Sequence, residues 1–418
     1  MVTRYDSSTF YQSDIIKSKG KIMSYVLVLN CGSSSIKFAV VNPVSGENAL
    51  MGLVQCIGMK EASLQWKRAG QKQERALPDV NYESAIYSII EVLREVDQLE
   101  SQLIAVGHRV VHGGEKFKSS VVIDESVLDQ IRDCCRLAPL HNPANLTGIL
   151  AAKKNFPHLP QVAVFDTAFH QTMPKHAFIY AIPYELYTQH SIRRYGFHGT
   201  SHQYVAEQAA LLINKPFDQC AFITAHLGNG SSVAAILNGK SVDTSMGFTP
   251  LEGLVMGTRS GDVDPSLHAF LADTLGYDVH KVTELLNKKS GVLGLSQLGS
   301  DMRTLENAEA EGHENAALAR EVFCYRLAKY IMSYLVPLGR LDALIFTGGI
   351  GENDRKVRAR VVQWLSALNF TLDPVRNQEN GKQSGNVITT SESRVALVIP
   401  TNEELMIARD AAKLAQRR

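Results

Sequence analysis

The sequence predicts an α/β protein made of two β-rich halves, and three observations carry that prediction. First, Tyr25-Val-Leu-Val-Leu-Asn-Cys-Gly-Ser-Ser-Ser-Ile-Lys37 runs from an apolar strand through a Gly/Ser turn into a second apolar run. Second, the same construction returns at Ala221-Phe-Ile-Thr-Ala-His-Leu-Gly-Asn-Gly-Ser-Ser-Val233. Third, each half carries a later apolar run that ends in a polar or Gly-rich turn: 161–165 delivers Asp166, and 343–346 leads into Thr347-Gly-Gly-Ile-Gly-Glu-Asn353. Ligands of α/β sheets gather at such strand ends. A chain of 418 residues is long enough for two domains with cores of their own.

The elements follow in order. Strands are expected at 26–29 and 36–41, a third near 52–56, a helix over 82–96, and a strand at 103–106 leading into Gly107-His-Arg-Val-Val-His-Gly-Gly114. Helices over 126–137 and 145–154 precede the strand 161–165. In the second half, strands 221–225 and 232–237 form a hairpin, followed by helices over 265–275 and 279–286. A long helix over 315–335 stops at Pro337 and Gly339. Strand 343–346, a helix over 356–368, strand 396–399 and a terminal helix from Leu405 complete the set, with the last helix packing back on the first half. The polar window 377–392 reads as a surface loop or ragged hairpin, and 1–22 as a dispensable leader before Met23.

Composition excludes several classes. A net charge of +1 gives no basis for binding nucleic acid or an anionic membrane surface, so basic groups must act locally. The six cysteines show no CxxC or zinc-ligand spacing and read as reduced thiols of a cytoplasmic protein. The P-loop GxxxxGK[ST], the dinucleotide fingerprint GxGxxG and the protein-kinase motifs are absent. A nucleotide would therefore need another architecture, and the two Gly/Ser turns supply one. Small residues let backbone N–H groups approach phosphate oxygens, and hydroxyls add donors.

The remaining motifs each keep two readings. Gly348 to Asn353 is a tight strand-to-helix turn or a backbone surface for adenine and ribose. Asp301 in Gly299-Ser-Asp-Met-Arg303 is a helix cap or part of a nucleotide clamp. Arg109 and Arg259 sit in Gly-flanked loops, one per half, and are solvated side chains or a fork for a carboxylate and a phosphoryl group. His198 and His202 lie one helical turn apart, a spacing open to metal ligation or to phosphoryl contact. Asp166, Asp262, Asp264, Asp301 and Glu403 are unranked carboxylates available to Mg²⁺.

Taken together, Asn30 to Lys37, Gly107 to Gly114, Tyr195 to His202, Asp301 to Arg303, Thr347 to Asn353 and Pro400 to Glu404 closely resemble the acetate kinase family, from Met23 to the C-terminus. The resemblance implies two ribonuclease-H-like domains, a duplicated actin-like ATPase fold with a central interdomain cleft. It places the first domain at 23–168 plus 404–418 and the nucleotide-binding domain at 169–403. It further implies reversible phosphoryl transfer from ATP to acetate with Mg²⁺ or Mn²⁺, in a cytoplasmic homodimer. By resemblance Asn30 and Glu403 hold the metal, and Ser33, Ser35 and Lys37 lie in the first phosphate loop. Arg109 holds the substrate carboxylate, and Val111, Leu140, Phe197 and Pro250 line its methyl pocket. Asp166, His198 and Arg259 are catalytic. His226, Leu227, Gly228, Asn229, Gly230, Asp301, Met302, Arg303, Gly349, Ile350, Gly351, Glu352 and Asn353 line the nucleotide. Cys31 departs from the small Ala common in the family. Alternatives are a propionate or other short-chain acid kinase on the same fold, an ATPase switch, or a phosphatase.

Overall fold

Strand β1 (Tyr25–Cys31) is buried along almost its whole length, which requires cover on both faces of its sheet. The computed structural model describes residues 24–96, 99–139 and 141–417, so the leader expected at 1–22 lies outside the described residues. β1 is flanked by β2 (Ile36–Val41), β3 (Asn48–Gln55), β4 (Ser63–Arg68) and β5 (Gln71–Ala76) on one side. On the other side stand β6 (Leu103–Val110), β8 (Gln161–Phe165) and β7 (Val121–Val122), giving the order β5-β4-β3-β2-β1-β6-β8-β7. The β4–β5 pair was not expected. Its outer strand Gln-Lys-Gln-Glu-Arg-Ala has no apolar alternation, and it is held by its ladder to β4.

The helices α1 (Tyr82–Glu95) and α3 (Asn142–Asn155) cover one face of this sheet, and α2 (Glu125–Asp133) packs beside α3. The other face is covered by the last helix, α12 (Glu403–Ala415), as the sequence suggested. Leu405, Ile407, Ala408, Ala411 and Ala412 pack on Val26, Val28, Ala105, Val162 and Val164. Each buried large aliphatic contributes roughly 1.5–3 kcal/mol. Gly107 permits this approach, since a Cβ there would stand 2.6 Å from Ile407 Cγ2. The cap Asn402 accepts from the Leu405 N–H at 3.0 Å and so fixes where Glu403 and Glu404 emerge.

The second sheet has the order β11-β10-β9-β12-β13, from β9 (Ala221–Leu227), β10 (Ser231–Leu237), β11 (Lys240–Thr244), β12 (Ala343–Thr347) and β13 (Val395–Val398). α4 (Gly199–Leu212) covers one face through Val205, Ala206, Ala209 and Ala210. The other face packs on α8 (Met302–Ala310), α9 (Glu314–Ser333) and α11 (Arg355–Trp364), while α5 (Leu267–Leu275), α6 (Val279–Lys288) and α7 (Gly291–Ser296) lie between β11 and α8 in the chain. Tyr204 of α4 packs on cores of both halves and ties them together.

Two sequence expectations need correction. The stretch 348–353 is itself helical, α10 (Gly348–Asn353), with Gly348 at φ 75° and Asn353 Nδ2 donating to the Gly349 carbonyl at 2.8 Å. The window 377–392 is no simple surface loop either: Asn377, Ile388 and Thr389 are buried, and Arg358 anchors it. Arg358 donates to Asn377 Oδ1 at 2.8 Å and to the Gly351 carbonyl at 2.9 Å, so this segment backs α10. Among the described residues no helix is long and apolar enough to cross a membrane.

Candidate active site

β1 and β6 run parallel, and β6 and β8 run parallel, so the chain leaves all three at the same edge of the sheet. That edge presents Asn30, Arg109 and Asp166 together. The Arg109 guanidinium donates from Nε to both Asp166 oxygens at 3.0 and 3.2 Å, from Nη2 to Asp166, and from Nη1 to Asn30 Oδ1 at 3.3 Å. Burial lowers the Arg109 pKa, but Asp166 beside it wins and raises it overall, so the cation is held firmly. Lys37, cross-strand from Asn30, pairs with Glu404 at the start of α12. Glu403 joins Asn30, Lys37 and Arg109 around the same small cavity. Burial pushes the Glu403 carboxyl above the usual range, whereas Lys37 overcomes burial at Glu404 and holds that carboxyl below it. The turn between β1 and β2 closes through Gly32 N–H to the Ser35 carbonyl at 2.8 Å and leaves Ser33 exposed.

Two buried asparagines on α3, missed in the sequence, clamp these loops. Asn145 Nδ2 donates to the Cys31 carbonyl at 2.7 Å, and its Oδ1 accepts from the Val111 N–H at 3.0 Å. Asn142 accepts from the His112 N–H and donates to its carbonyl, at 3.0 and 2.9 Å. Cys31 lies inside this clamp, where burial pushes its thiol up to about 12 and makes it a packing group.

The second half meets Asp166 directly. The Gly199 N–H donates to the Asp166 carbonyl at 2.9 Å, and a Cβ at Gly199 would stand 2.4 Å from that oxygen. This contact opens α4 and places His198 just before it, with φ at 57°. The left-handed conformation costs a non-glycine residue roughly 1–2 kcal/mol. The His198 ring stacks on His226 at 4.3 Å, and burial followed by its neighbours His226 and His202 pushes its pKa well below the ordinary histidine value. Arg109 and Arg259, one from each half of the chain, both add to that depression. Gly230 fits among them: a Cβ there would lie 3.2 Å from Arg259 Nη1 and 3.6 Å from His198 Cε1.

Arg259 itself is held differently from Arg109. Among the described residues it has no carboxylate in ion-pair contact, only the Met256 sulfur 4.0 Å from Nη1, and burial lowers its pKa. Its loop is locked by the Gly257 N–H donating to the Asn229 carbonyl at 2.9 Å. A Cβ at Gly257 would sit 1.9 Å from Asn229 Oδ1, so the loops 228–230 and 257–259 interlock only with glycine there.

Val111 and Phe197 form a fully buried cluster with Met246 and Met256, two residues the sequence reading missed. Pro250 is half-buried and stands outside that cluster, and Leu140 lies outside the described residues. Of the stretches expected at the nucleotide, β9 and β12 place His226 beside Thr347, and Gly348 lies against the Leu227 carbonyl. Arg320 reaches the Met302 carbonyl at 3.0 Å and Asp354 at 2.9 Å, which brings the start of α8 to the end of α10. The Leu227 and Met302 side chains are core, so these positions offer backbone only. Asp301 caps α8 and pairs with the exposed Arg303, while Glu352 accepts from the Gly348 and Thr401 N–H groups.

Two α/β sheets, a Gly/Ser turn after the first strand of each, and an arginine from each half are the parts of a phosphotransferase. The family model described as the acetokinase family matches residues 25–409, and the chain belongs to that family. It is 56% identical over 391 residues to the acetate kinase of Shewanella loihica, covering 93% of this chain and 98% of that one. The crystal structure of a propionate kinase from Francisella tularensis is similar at 48% identity and a TM-score of 0.90, covering 94% of this chain and all of that one. That of Porphyromonas gingivalis acetate kinase is similar at 44% identity and a TM-score of 0.89, with coverage of 94% and 99%.

Proposed function

We propose that this protein is an acetate kinase, transferring the γ-phosphoryl group of ATP reversibly and in line to acetate to give acetyl phosphate and ADP. The observation that carries the proposal is that each half supplies an arginine to the region of His198, Arg109 bound to Asp166 and Arg259, beside Gly230 with His198, free of any carboxylate among the described residues. Acetate is ionised at pH 7 and needs no general base, so positioning and charge neutralisation supply the catalysis. Asp166 acts by orienting Arg109. Of the five guanidinium N–H groups, Asp166 and Asn30 take three, which leaves one on each terminal nitrogen for the acceptor carboxylate. Arg259 and His198 face the charge that develops on the transferring group.

Asn30 and Glu403 fit a Mg²⁺ site. Both offer oxygen ligands, and the half-buried Glu403 carboxylate, which lines the cavity, has no ion-pair partner among the described residues. Mg²⁺ ordinarily keeps several waters and substrate phosphates as ligands, so two protein oxygens are enough to hold it. Mg²⁺ would neutralise the triphosphate when bound.

The methyl group belongs in the Val111–Phe197 cluster, whose two methionines are adaptable. One added methylene is worth about 1–3 kcal/mol in such a pocket, so propionate is a slower substrate rather than an excluded one. The homodimer implied by the family finds support in α5, where Leu267, Phe270 and Leu275 are exposed. Mg²⁺- and ATP-dependent acyl phosphate formation, trapped with hydroxylamine, tests the function. Signal with acetate well above propionate, butyrate and no acceptor is expected. ADP release without trapped acyl phosphate would overturn it.

A further inference from the structure

Only one nitrogen of the His198 ring faces the cleft. Nδ1 lies 2.9 Å from Ser232 Oγ, whereas Nε2 points to the side of Gly230 and Arg259, 3.7 Å from a Cβ built on Gly230. Ser232 Oγ is shared, because it also lies 2.7 Å from His202 Nε2. His202 Nδ1 in turn lies 2.7 Å from Thr224 Oγ1. Thr224, His202 and Ser232 are all 0% exposed.

A hydroxyl has one hydrogen and a neutral imidazole has one N–H, so with Ser232 both donating and accepting this chain of four groups runs in one of two directions; a Ser232 that accepted from both rings would leave its own buried hydrogen unpaired. In the first, Thr224 donates to His202 Nδ1, His202 Nε2–H donates to Ser232, and Ser232 donates to His198 Nδ1. Every buried hydrogen then has an acceptor, and His198 carries its own hydrogen on Nε2, toward the cleft. In the second, His198 Nδ1–H donates to Ser232, Ser232 to His202 Nε2, and His202 Nδ1–H to Thr224. The Thr224 hydrogen then has no acceptor among the described residues, and His198 turns a lone pair toward the cleft. A buried hydroxyl hydrogen left unpaired selects against the second direction.

The neighbouring histidines sharpen the contrast. His170 Nε2 lies 2.9 Å from the Phe197 carbonyl, an acceptor only, so His170 carries Nε2–H and Ser241 donates to its Nδ1 at 2.7 Å. His226 has a similar chain through Ser201 to Thr401, but Thr401 is half-exposed and water can take its hydrogen. That chain has no fixed direction. The chain ending at Thr224 has one.

We propose that Thr224, His202 and Ser232 are positioning residues that fix His198 as its Nε2–H tautomer, so that a neutral imidazole offers a hydrogen-bond donor to the transferring phosphoryl group. The last clause rests on the role assigned to His198 above; the tautomer itself does not. Nitrogen NMR of the full chain, labelled with ¹⁵N in its histidine rings and assigned with His198→Asn and His202→Asn, reads the tautomer without any turnover. The expected spectrum has both rings neutral, each protonated at Nε2 with Nδ1 an acceptor. Protonation at Nδ1 of either ring, or at both nitrogens, would overturn the proposal. Thr224→Val removes the hydrogen that sets the direction, whereas Thr224→Ser keeps it. In Thr224→Val the His198 signals should move between the two tautomer positions, and kcat should fall about twofold at unchanged KM, because half the molecules keep the donor. Thr224→Ser should match the parent in both readouts. Equal His198 signals in the Val and Ser variants would contradict the chain even if both are active.

Discussion

Arg109 and Arg259 bring the same charge to the same cleft and are held in opposite ways. Arg109 is fixed by Asp166 and Asn30 before any ligand arrives, and its charge is already balanced. Arg259 is half-buried, has only a methionine sulfur as a side-chain hydrogen-bond partner, and has no carboxylate in ion-pair contact among the described residues. A paired arginine is an oriented fork with little net charge to offer, suited to a carboxylate that must be placed. An unpaired, partly buried one is positive potential without a partner, which favours the step at which negative charge appears.

The largest expected effect of breaking this contrast is at Arg259. Arg259→Ala should lower kcat on the order of a hundredfold or more, as for the loss of one preorganised donor. A variant within a few-fold of the parent in the hydroxamate assay would remove Arg259 from the chemistry. Asp166→Asn attacks the other side, since Arg109 keeps its place in the chain but loses its charge partner. Acetate KM should rise about tenfold, the worth of one charge-assisted hydrogen bond. An unchanged KM would mean that Asp166 does not orient the fork.

The histidines around the arginines sharpen the picture through pH. Burial pushes His108 and His170 down to about 4 and His112 to about 3, from 6.5. The unfolded chain therefore binds protons below pH 6.5 that the folded chain refuses. Stability should fall as pH drops from about 6.5 toward 4, by up to about 1.4 kcal/mol per pH unit for each histidine. Thermal unfolding across that range checks it; a flat Tm would contradict the neutral buried rings. With His198 depressed in the same way, kcat should show no histidine inflection near 6.5. The smallest effect concerns the pocket. Val111→Ala should raise the propionate-to-acetate ratio of kcat/KM by about fivefold, within the range for one methylene, and an unchanged ratio would move the methyl site elsewhere.

Strands and helices with strong apolar patterns, such as β8 and α9, were legible in the sequence, as were the two strand–turn–strand hairpins β1–β2 and β9–β10. The polar β5 carries no pattern of its own and exists through its neighbour. The same limit applies to the site. Arg109, Asp166, His198 and Arg259 stand in glycine-flanked or strand-end positions that draw the eye. Asn142, Asn145, Thr224, Met246 and Met256 do not, because their roles come from partners 22 or more residues away in the case of Thr224, and 30 and 34 residues away for the asparagines. Asn142 and Asn145, three apart on α3, were the available signal: two polar residues on the same helix face as Gly148, Ile149 and Ala152.

Equilibrium binding of acetate to Arg259→Ala, measured by calorimetry beside the hydroxamate kcat of the same variant, bears most directly on the division between the arginines. Acetate affinity within about twofold of the parent, with kcat reduced on the order of a hundredfold, is the expected result. Loss of acetate affinity in proportion to kcat would place both arginines on the ground-state carboxylate and contradict the division.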